Sequence, residues 1–212
     1  IIDGAQKVVD NWKPTFKINS DWEKVKLKDV CDVRDGTHDS PKPQQEGYPL
    51  VTSKNLVNGI IDFANTIFIS KEDHINICKR SNVDDGDVLF AMIGTIGNPV
   101  VVKKDREFSI KNVALFKVGN NNSKLNNCYL KYILEVSTQE LNNKAIGGNQ
   151  KFVGLGYLRN YEIPLPSLEE QKAIVAQIEQ EKQYVEACKK LIELNKQKIS
   201  NKIKSIWNCD ED

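Results

Sequence analysis

The C-terminal segment carries apolar residues at an unbroken interval of seven, and this pattern constrains the fold more than any other feature of the chain. The residues are Ile178, Val185, Ile192, Ile199 and Ile206. No proline or glycine interrupts residues 168–207, so the pattern predicts a single helix about 60 Å long. A strict seven-residue period is typical of a helix that pairs with another long helix.

The sequence before this helix marks where it starts. Pro164 and Pro166 favour an extended approach. Ser167 is a suitable N-cap, and Glu170 follows three residues later, as in a capping box. We therefore predict that Glu170 caps the helix and has no catalytic role.

The second core position of the heptad is mostly polar. It is occupied by Ile174, Glu181, Cys188, Asn195 and Lys202. Tyr184 and Leu191 widen the apolar stripe on one side only. Such a seam is too polar for an autonomous zipper, so we expect a second helix to supply the missing apolar surface. The alternative is a helix that lies across its own domain.

Composition sets broad limits on the chain. Its 212 residues, of which 40% are hydrophobic, suffice for one moderate domain and the long helix. Thirty basic and 29 acidic residues give a net charge of +1, which neither supports nor excludes a nucleic-acid partner. The five cysteines are odd in number and form no Cys-x-x-Cys pair, which predicts reduced thiols and a cytoplasmic location. No apolar run approaches the length of a membrane helix.

The rest of the chain predicts an α+β fold, in which a mixed α/β domain precedes one long helix of coiled-coil type. We place a helical connector at residues 1–20, the domain at 21–166, the helix at 167–208 and a tail at 209–212. The chain begins in mid-pattern without Met, so we expect it to be part of something longer. Predicted strands lie at 24–27, 48–52, 67–69, 87–91, 100–103, 108–110, 113–118 and 162–165, and predicted helices at 71–79 and 127–141.

Four polar loops interrupt the predicted strands. They span residues 33–42, 51–56, 93–98 and 145–152, and they are rich in Gly, Lys, Thr, Asn and Gln. Amides in glycine turns and lysine side chains bind phosphate, while Asn and Gln pair with adenine in the major groove. The loops therefore favour a DNA-binding surface. The alternative is that they are ordinary exposed turns.

Catalytic and metal-binding patterns are weak. His38 and His74 stand 36 residues apart, and neither has the spacing of a metal ligand. The Gly94–Gly97 and Gly154–Gly156 segments are incomplete dinucleotide fingerprints, which we interpret as turns. We predict no cofactor, no metal and no catalytic residue.

Several segments together carry a family likeness. They are Trp22–Val30, Gly86–Phe90, Gly94–Gly97, Gln150–Phe152 and, most specifically, the Ile163–Val175 segment IPLPSLEEQKAIV. With them the chain resembles the specificity subunit of type I restriction–modification systems over about residues 20–207. The resemblance implies a target recognition domain, which reads half of a bipartite DNA sequence, and a spacer helix. Such subunits usually carry two of each, so it also implies a half-length subunit or the recognition region of a fused enzyme.

The resemblance also implies partners and a division of labour. The partners are double-stranded DNA, an adenine-specific DNA methyltransferase subunit or domain, and a second copy of the chain joined through the long helix; no membrane is implied. Asn98-Pro99 is followed by Val100-Val101 and not by Pro-Tyr or Pro-Phe, so we expect a non-catalytic component. The candidate DNA contacts are Thr37, His38, Lys42, Lys54, Arg80, Thr95, Lys104, Gln150, Lys151 and Arg159. The alternative function is a helical protein–protein interaction module without DNA specificity.

Overall fold

A computed structural model describes residues 2–119, 124–148 and 150–207. These residues form two compact units, one made of residues 17–175 and the other of the described parts of 1–16 and 176–212. Residues of the N-terminal segment up to Phe16 are thus grouped with the long helix. The predicted tail at 209–212 lies outside the described residues.

The elements follow one another in mixed order, as expected for an α+β protein. The strands are β1 (Lys24–Lys26), β2 (Asp32–Asp35), β3 (Tyr48–Val51), β4 (Leu56–Val57), β5 (Ile60–Ile61), β6 (Ile67–Ile69), β7 (Val88–Ala91), β8 (Gly97–Val101), β9 (Ser109–Ile110), β10 (Val113–Lys117) and β11 (Glu162–Pro164). The helices are α1 (Ile2–Asp10), α2 (Leu27–Val30), α3 (Lys71–Ser81), α4 (Asn127–Val136), α5 (Thr138–Asn143), α6 (Leu155–Asn160) and α7 (Leu168–Trp207), with a 3-10 turn at Ser53–Asn55.

An antiparallel sheet in the order β2-β10-β7-β8 forms the centre of the larger unit. Every residue of β7 is buried, and β10 is buried except at its last residue. In the register, Ala114 pairs with Asp35, Val113 with Ala91, and Ala91 with Gly97. The segments that follow β2 and β7, and those that precede β8 and β10, therefore meet at one end of this sheet.

Smaller sheets complete the unit. β3 pairs with β6 on one side and with β9 on the other. Val51, Leu89, Ile110 and Leu115 belong to one buried apolar cluster, which joins this sheet to the central one. β1 pairs with β11, so the two ends of the unit lie side by side.

The start of α7 has the predicted capping box. The backbone N–H and the hydroxyl of Ser167 donate to Glu170 Oε2 at 3.0 and 2.8 Å, and the Glu170 N–H donates to Ser167 Oγ. Gln171 is fully buried. Its Nε2 donates to the carbonyls of Lys124 and Pro166, and its Oε1 accepts from the Asn126 N–H. The first turn of α7 is thus fixed to the start of α4.

The seven-residue seam of α7 is covered along only part of its length. Ile178 and Ile192 are buried, whereas Ile199 is 49% exposed and Ile206 is 58% exposed. In the same unit, Lys196 Nζ donates to Gln6 Oε1 of α1 at 3.0 Å. The N-terminal helix therefore lies beside the middle of α7, and the last two turns keep their apolar side chains exposed.

Two differences from the sequence predictions have a local physical reason. Residues 127–141 form two helices and not one, because Ser137 ends α4 and the Thr138 hydroxyl bonds back to the Leu134 carbonyl. Residues 155–160 form α6 where we predicted a turn, because Leu158 is buried fully.

Candidate nucleic-acid interface

The four polar loops meet at one end of the central sheet. The Thr37 N–H donates to the Ile110 carbonyl at 3.0 Å, and the Lys111 N–H donates to the Val51 carbonyl at 2.9 Å. The Gly94 N–H donates to the Lys151 carbonyl at 2.9 Å. We call this surface the loop edge and define it as residues 35–42, 52–55, 92–98, 110–112, 145–148 and 150–152.

Backbone packing holds the loop edge in one conformation. A Cβ atom on Gly36 would overlap the Ile110 carbonyl, so only glycine fits there. Gly147 has a φ of +116°, and a Cβ atom at this position would overlap the Gln150 carbonyl. The loops therefore offer a preorganised surface.

A buried carboxylate positions two of the candidate residues. Asp35 is only 8% exposed. Its Oδ1 accepts from Arg80 Nη2 at 2.6 Å, and its Oδ2 lies 2.8 Å from His38 Nε2. Arg80 also donates to the Gly36 carbonyl, and His38 Nδ1 lies 2.8 Å from Asn112 Oδ1. Asp35 thus fixes one cation and one imidazole at the rim of the loop edge.

The sequence analysis missed Lys111 and Asn112. Lys111 Nζ donates to the Asp39 carbonyl at 2.7 Å and to Ser40 Oγ at 2.6 Å. Asn112 adopts a φ of +56° between β9 and β10. A Lys-Asn pair between two apolar runs is a turn signal, and it could have identified this fifth part of the loop edge.

Most of the predicted DNA contacts lie at or beside the loop edge. Those on its loops are Thr37, His38, Lys42, Lys54, Thr95, Gln150 and Lys151. Arg80 reaches it from α3 through Asp35. Thr37 has a structural task there, because its hydroxyl accepts from the Asp39 N–H.

Two predicted contacts lie elsewhere. Lys104 follows β8 at the opposite end of the sheet, where its N–H donates to Asp85 and its ammonium pairs with Glu107 at 2.9 Å. Arg159 donates from Nε to the Val33 carbonyl of β2 at 3.0 Å. Both side chains are therefore engaged in holding the domain together.

The loop edge concentrates positive charge. With Arg80 it carries the five cations Lys42, Lys54, Arg80, Lys111 and Lys151, against two carboxylates, for a net charge of +3 with histidine neutral. The whole chain carries only +1. This one surface therefore holds more than the entire net positive charge of the protein.

A shallow cleft of about 360 Å³ opens within the loop edge. It is lined by Asp35, His38, Met92, Ile93, Phe152, Gly154 and Leu155. These residues come from the first, third and fourth polar loops and from the start of α6. The lining is mostly apolar, which sets the cleft apart from the charged surface around it.

The opposite end of the sheet is held by a buried ion cluster. Lys117 Nζ lies 2.7 Å from both Asp84 Oδ2 and Asp87 Oδ2. Burial raises the pKa of Asp87, whereas the hydrogen bond from Lys117 lowers the pKa of Asp84. Burial opposes ionisation of Lys117, but its hydrogen bonds to both aspartates raise its pKa. We assign this cluster to stability.

His74 is buried within the domain. Its Nδ1 lies 2.9 Å from Ser109 Oγ, and its ring stacks on Tyr48 with 3.9 Å between centroids. Burial lowers the pKa of His74.

Within residues 2–119, 124–148 and 150–207, no group of three or more His, Cys, Asp or Glu residues is placed to hold a metal ion. None of the helices described in those ranges has the length and apolarity to cross a membrane.

A family model described as the type I restriction modification DNA specificity domain matches residues 19–205. The chain belongs to this family. The specificity-domain chain is 30% identical over 174 residues to the putative type I restriction enzyme MjaX specificity subunit of Methanocaldococcus jannaschii, covering 78% of this chain and 41% of that protein. It is also 30% identical over 195 residues to the type I restriction enzyme MjaVIII specificity subunit of the same organism, and this match covers 87% of this chain and 46% of that protein. It thus spans less than half the length of both relatives.

The fold of the specificity-domain chain has a solved counterpart. A chain in a structure described as the basis of complex assembly and conformational transition of the type I R-M system superposes with a TM-score of 0.70. The identity is 21%, and the match covers 98% of this chain and 51% of that one. The similarity confirms the mixed α/β domain with a long C-terminal helix. None of these matches supports the alternative of an interaction module without DNA specificity.

Proposed function

We propose that this specificity domain reads one half of a bipartite DNA target through the loop edge. The observation that carries the proposal is the meeting of separate polar loops on one preorganised surface with a net charge of +3. Lysine and arginine side chains there contact phosphates and fix the register of the domain on the duplex. Gln150 and Thr95 are exposed on the same surface, and we assign them contacts with base edges.

The chemistry on the DNA belongs to a partner. An adenine-specific methyltransferase subunit or domain acts on a base that it extrudes from the duplex, and the specificity domain determines which base that is. We assign to this chain the positioning role, with no catalytic residue of its own. The cytoplasmic location remains a prediction from the cysteine pattern.

The long helix pairs with a second copy of the chain. Leu191, Ile199, Ile203 and Ile206 are exposed on α7, and exposed apolar side chains in such a row favour association with another helix. Two copies joined in this way would present two loop edges, one to each half of the target. The length of α7 would then set the distance between the two half-sites.

Selection of duplexes from a random DNA library tests the DNA-reading role. The full chain should enrich a short sequence motif, and fluorescence anisotropy should give a dissociation constant that rises with salt. For about four phosphate contacts, affinity should fall on the order of a hundredfold between roughly 50 and 200 mM salt. Failure to enrich any motif, with binding that does not respond to salt, would refute the proposal.

A further inference from the structure

Phe152 stands out among the phenylalanines of the domain because it is 37% exposed and lies on a polar surface. Phe90, Phe108 and Phe116, in contrast, are buried in the core. Exposed aromatic surface is costly in water. The exposed part of the ring is therefore a candidate contact for a binding partner.

The backbone of Phe152 is fixed on both sides. Its N–H donates to the Ile146 carbonyl at 2.8 Å, and its carbonyl accepts from the Ile146 N–H at 3.0 Å. The neighbouring Val153 N–H donates to the Met92 carbonyl at 2.9 Å. The ring thus lies in a set position in the cleft, with Ile93 and Leu155 completing the apolar wall.

The surroundings of the cleft identify what it binds. With Arg80 the loop edge has a net charge of +3, so its ligand is a polyanion, whereas the cleft wall itself needs an apolar group. Among the groups that base pairs present in the major groove, the 5-methyl group of thymine is the apolar one. A thymine in duplex DNA satisfies both requirements.

We propose that Phe152, Ile93 and Leu155 form a contact for the 5-methyl group of one thymine in the target. His38 lines the same cleft, and both of its ring nitrogens are engaged by Asp35 and Asn112, so its ring is a fixed part of the wall. This inference rests on the proposed function, because it assigns a base to a surface that we propose binds DNA. Phe152 then acts as a specificity-determining residue.

Replacing single thymines by uracil tests the contact. In the duplex selected by the full chain, each dT is changed in turn to dU, which removes one methyl group and leaves the base pairing unchanged. We expect one replacement to weaken binding about fourfold, as for loss of one buried methyl group. The Phe152→Ala variant should bind the dT duplex more weakly and should bind the dT and dU duplexes equally.

Two further variants make the test specific. Ile75 is an exposed apolar residue on α3, outside the loop edge, and Ile75→Ala should retain both the wild-type affinity and the fourfold difference. Leu155→Ala, on the same wall of the cleft, should reduce the difference and provides a second test if Phe152→Ala loses its thermal transition. A selected motif without thymine, no effect of any dU, or a fourfold difference that survives Phe152→Ala and Leu155→Ala would overturn the inference.

Failure of the inference can be distinguished from failure of the proposed function. If the wild-type chain enriches a motif and binds it in a salt-dependent manner while dU has no effect, the DNA-reading role stands and the thymine contact is wrong. If the wild-type chain enriches no motif, both are wrong.

Discussion

The guanidinium of Arg80 lies 2.6 Å from the carboxylate of Asp35, so a cation on α3 is fixed beside a loop that follows β2. The same carboxylate holds His38 through its other oxygen. Asp35 is 8% exposed and acts on the candidate DNA surface through these two neighbours. A negative charge beneath the surface thus orients the guanidinium and the imidazole above it.

The contacts of Asp35 predict that its replacement by asparagine changes DNA affinity in the direction opposite to that expected from net charge. Asp35→Asn removes an anion from a DNA-binding surface, which by charge alone should tighten binding. We expect it instead to weaken binding to the selected duplex about tenfold, because Arg80 and His38 lose a charge-assisted hydrogen bond that positions them. Asp39→Asn is the matched control, since Asp39 is exposed in the same loop and its loss should leave affinity equal or higher. Anisotropy titrations that rank the two variants the other way would contradict the positioning role.

Gln150 and Lys151 are exposed on the fourth loop. Lys151→Ala should lower affinity for all duplexes similarly and reduce the salt slope by about one, as expected for one phosphate contact. Gln150→Ala should lower affinity for the selected motif more than for a shuffled duplex, as expected for a base contact. Neither change should move the melting temperature by more than a degree or two, and a large shift would show that these side chains are structural. Lys103→Ala, at the opposite end of the sheet, is the control.

The ion cluster at that opposite end governs stability. Lys117 and Asp87 are each at least nine-tenths buried in their side chains. Lys117→Met should lower the free energy of unfolding by about 3–5 kcal/mol, because it leaves the Asp87 carboxylate buried without its cation. Chemical denaturation measures the loss, and the Lys117→Met/Asp87→Asn double variant should recover part of it. If Lys117→Met lowers the free energy of unfolding no more than Lys103→Met does, the cluster contributes little to stability.

Aspartate substitutions at two positions of the α7 seam should have different effects. Ile199 is 49% exposed, whereas Ile192 is 9% exposed. Ile199→Asp should weaken pairing of two chains without lowering the melting temperature. Ile192→Asp should lower the melting temperature as well, because it buries a carboxylate. Light scattering gives the mass of each variant, and an unchanged mass for Ile199→Asp, in a protein whose wild type is dimeric, would contradict pairing through this face.

Features that depend on residues close together in the sequence were predicted well. The capping box at Ser167 and the uninterrupted helix up to Trp207 depend on neighbours a few residues apart, and the structure has both. β6 was predicted with its observed bounds, because three apolar residues stand between turn signals there. The buried strand β7 was also predicted to within one residue.

Features that depend on distant partners were missed. β2 contains one clearly apolar residue, Val33, and forms a strand because β10 pairs with it. The role of Asp35 could not be predicted either, since its partner Arg80 is 45 residues away in the sequence. Lys104 was predicted as a DNA contact, and the antiparallel pairing of β7 and β8 places it at the end of the sheet opposite the loop edge. The order of the strands in the sheet determines which loops lie at the same edge. This order depends on contacts between distant residues, so the sequence of each loop does not reveal it.

Hydrogen–deuterium exchange of the full chain, with and without the selected duplex, tests most directly whether the loop edge is the DNA-binding surface. We predict that DNA slows exchange in residues 35–42, 92–98, 110–112 and 145–152. Exchange in residues 102–107, at the opposite end of the sheet, should not change. Protection confined to residues 102–107 or to α7, with the loop edge unaffected, would contradict the proposed interface.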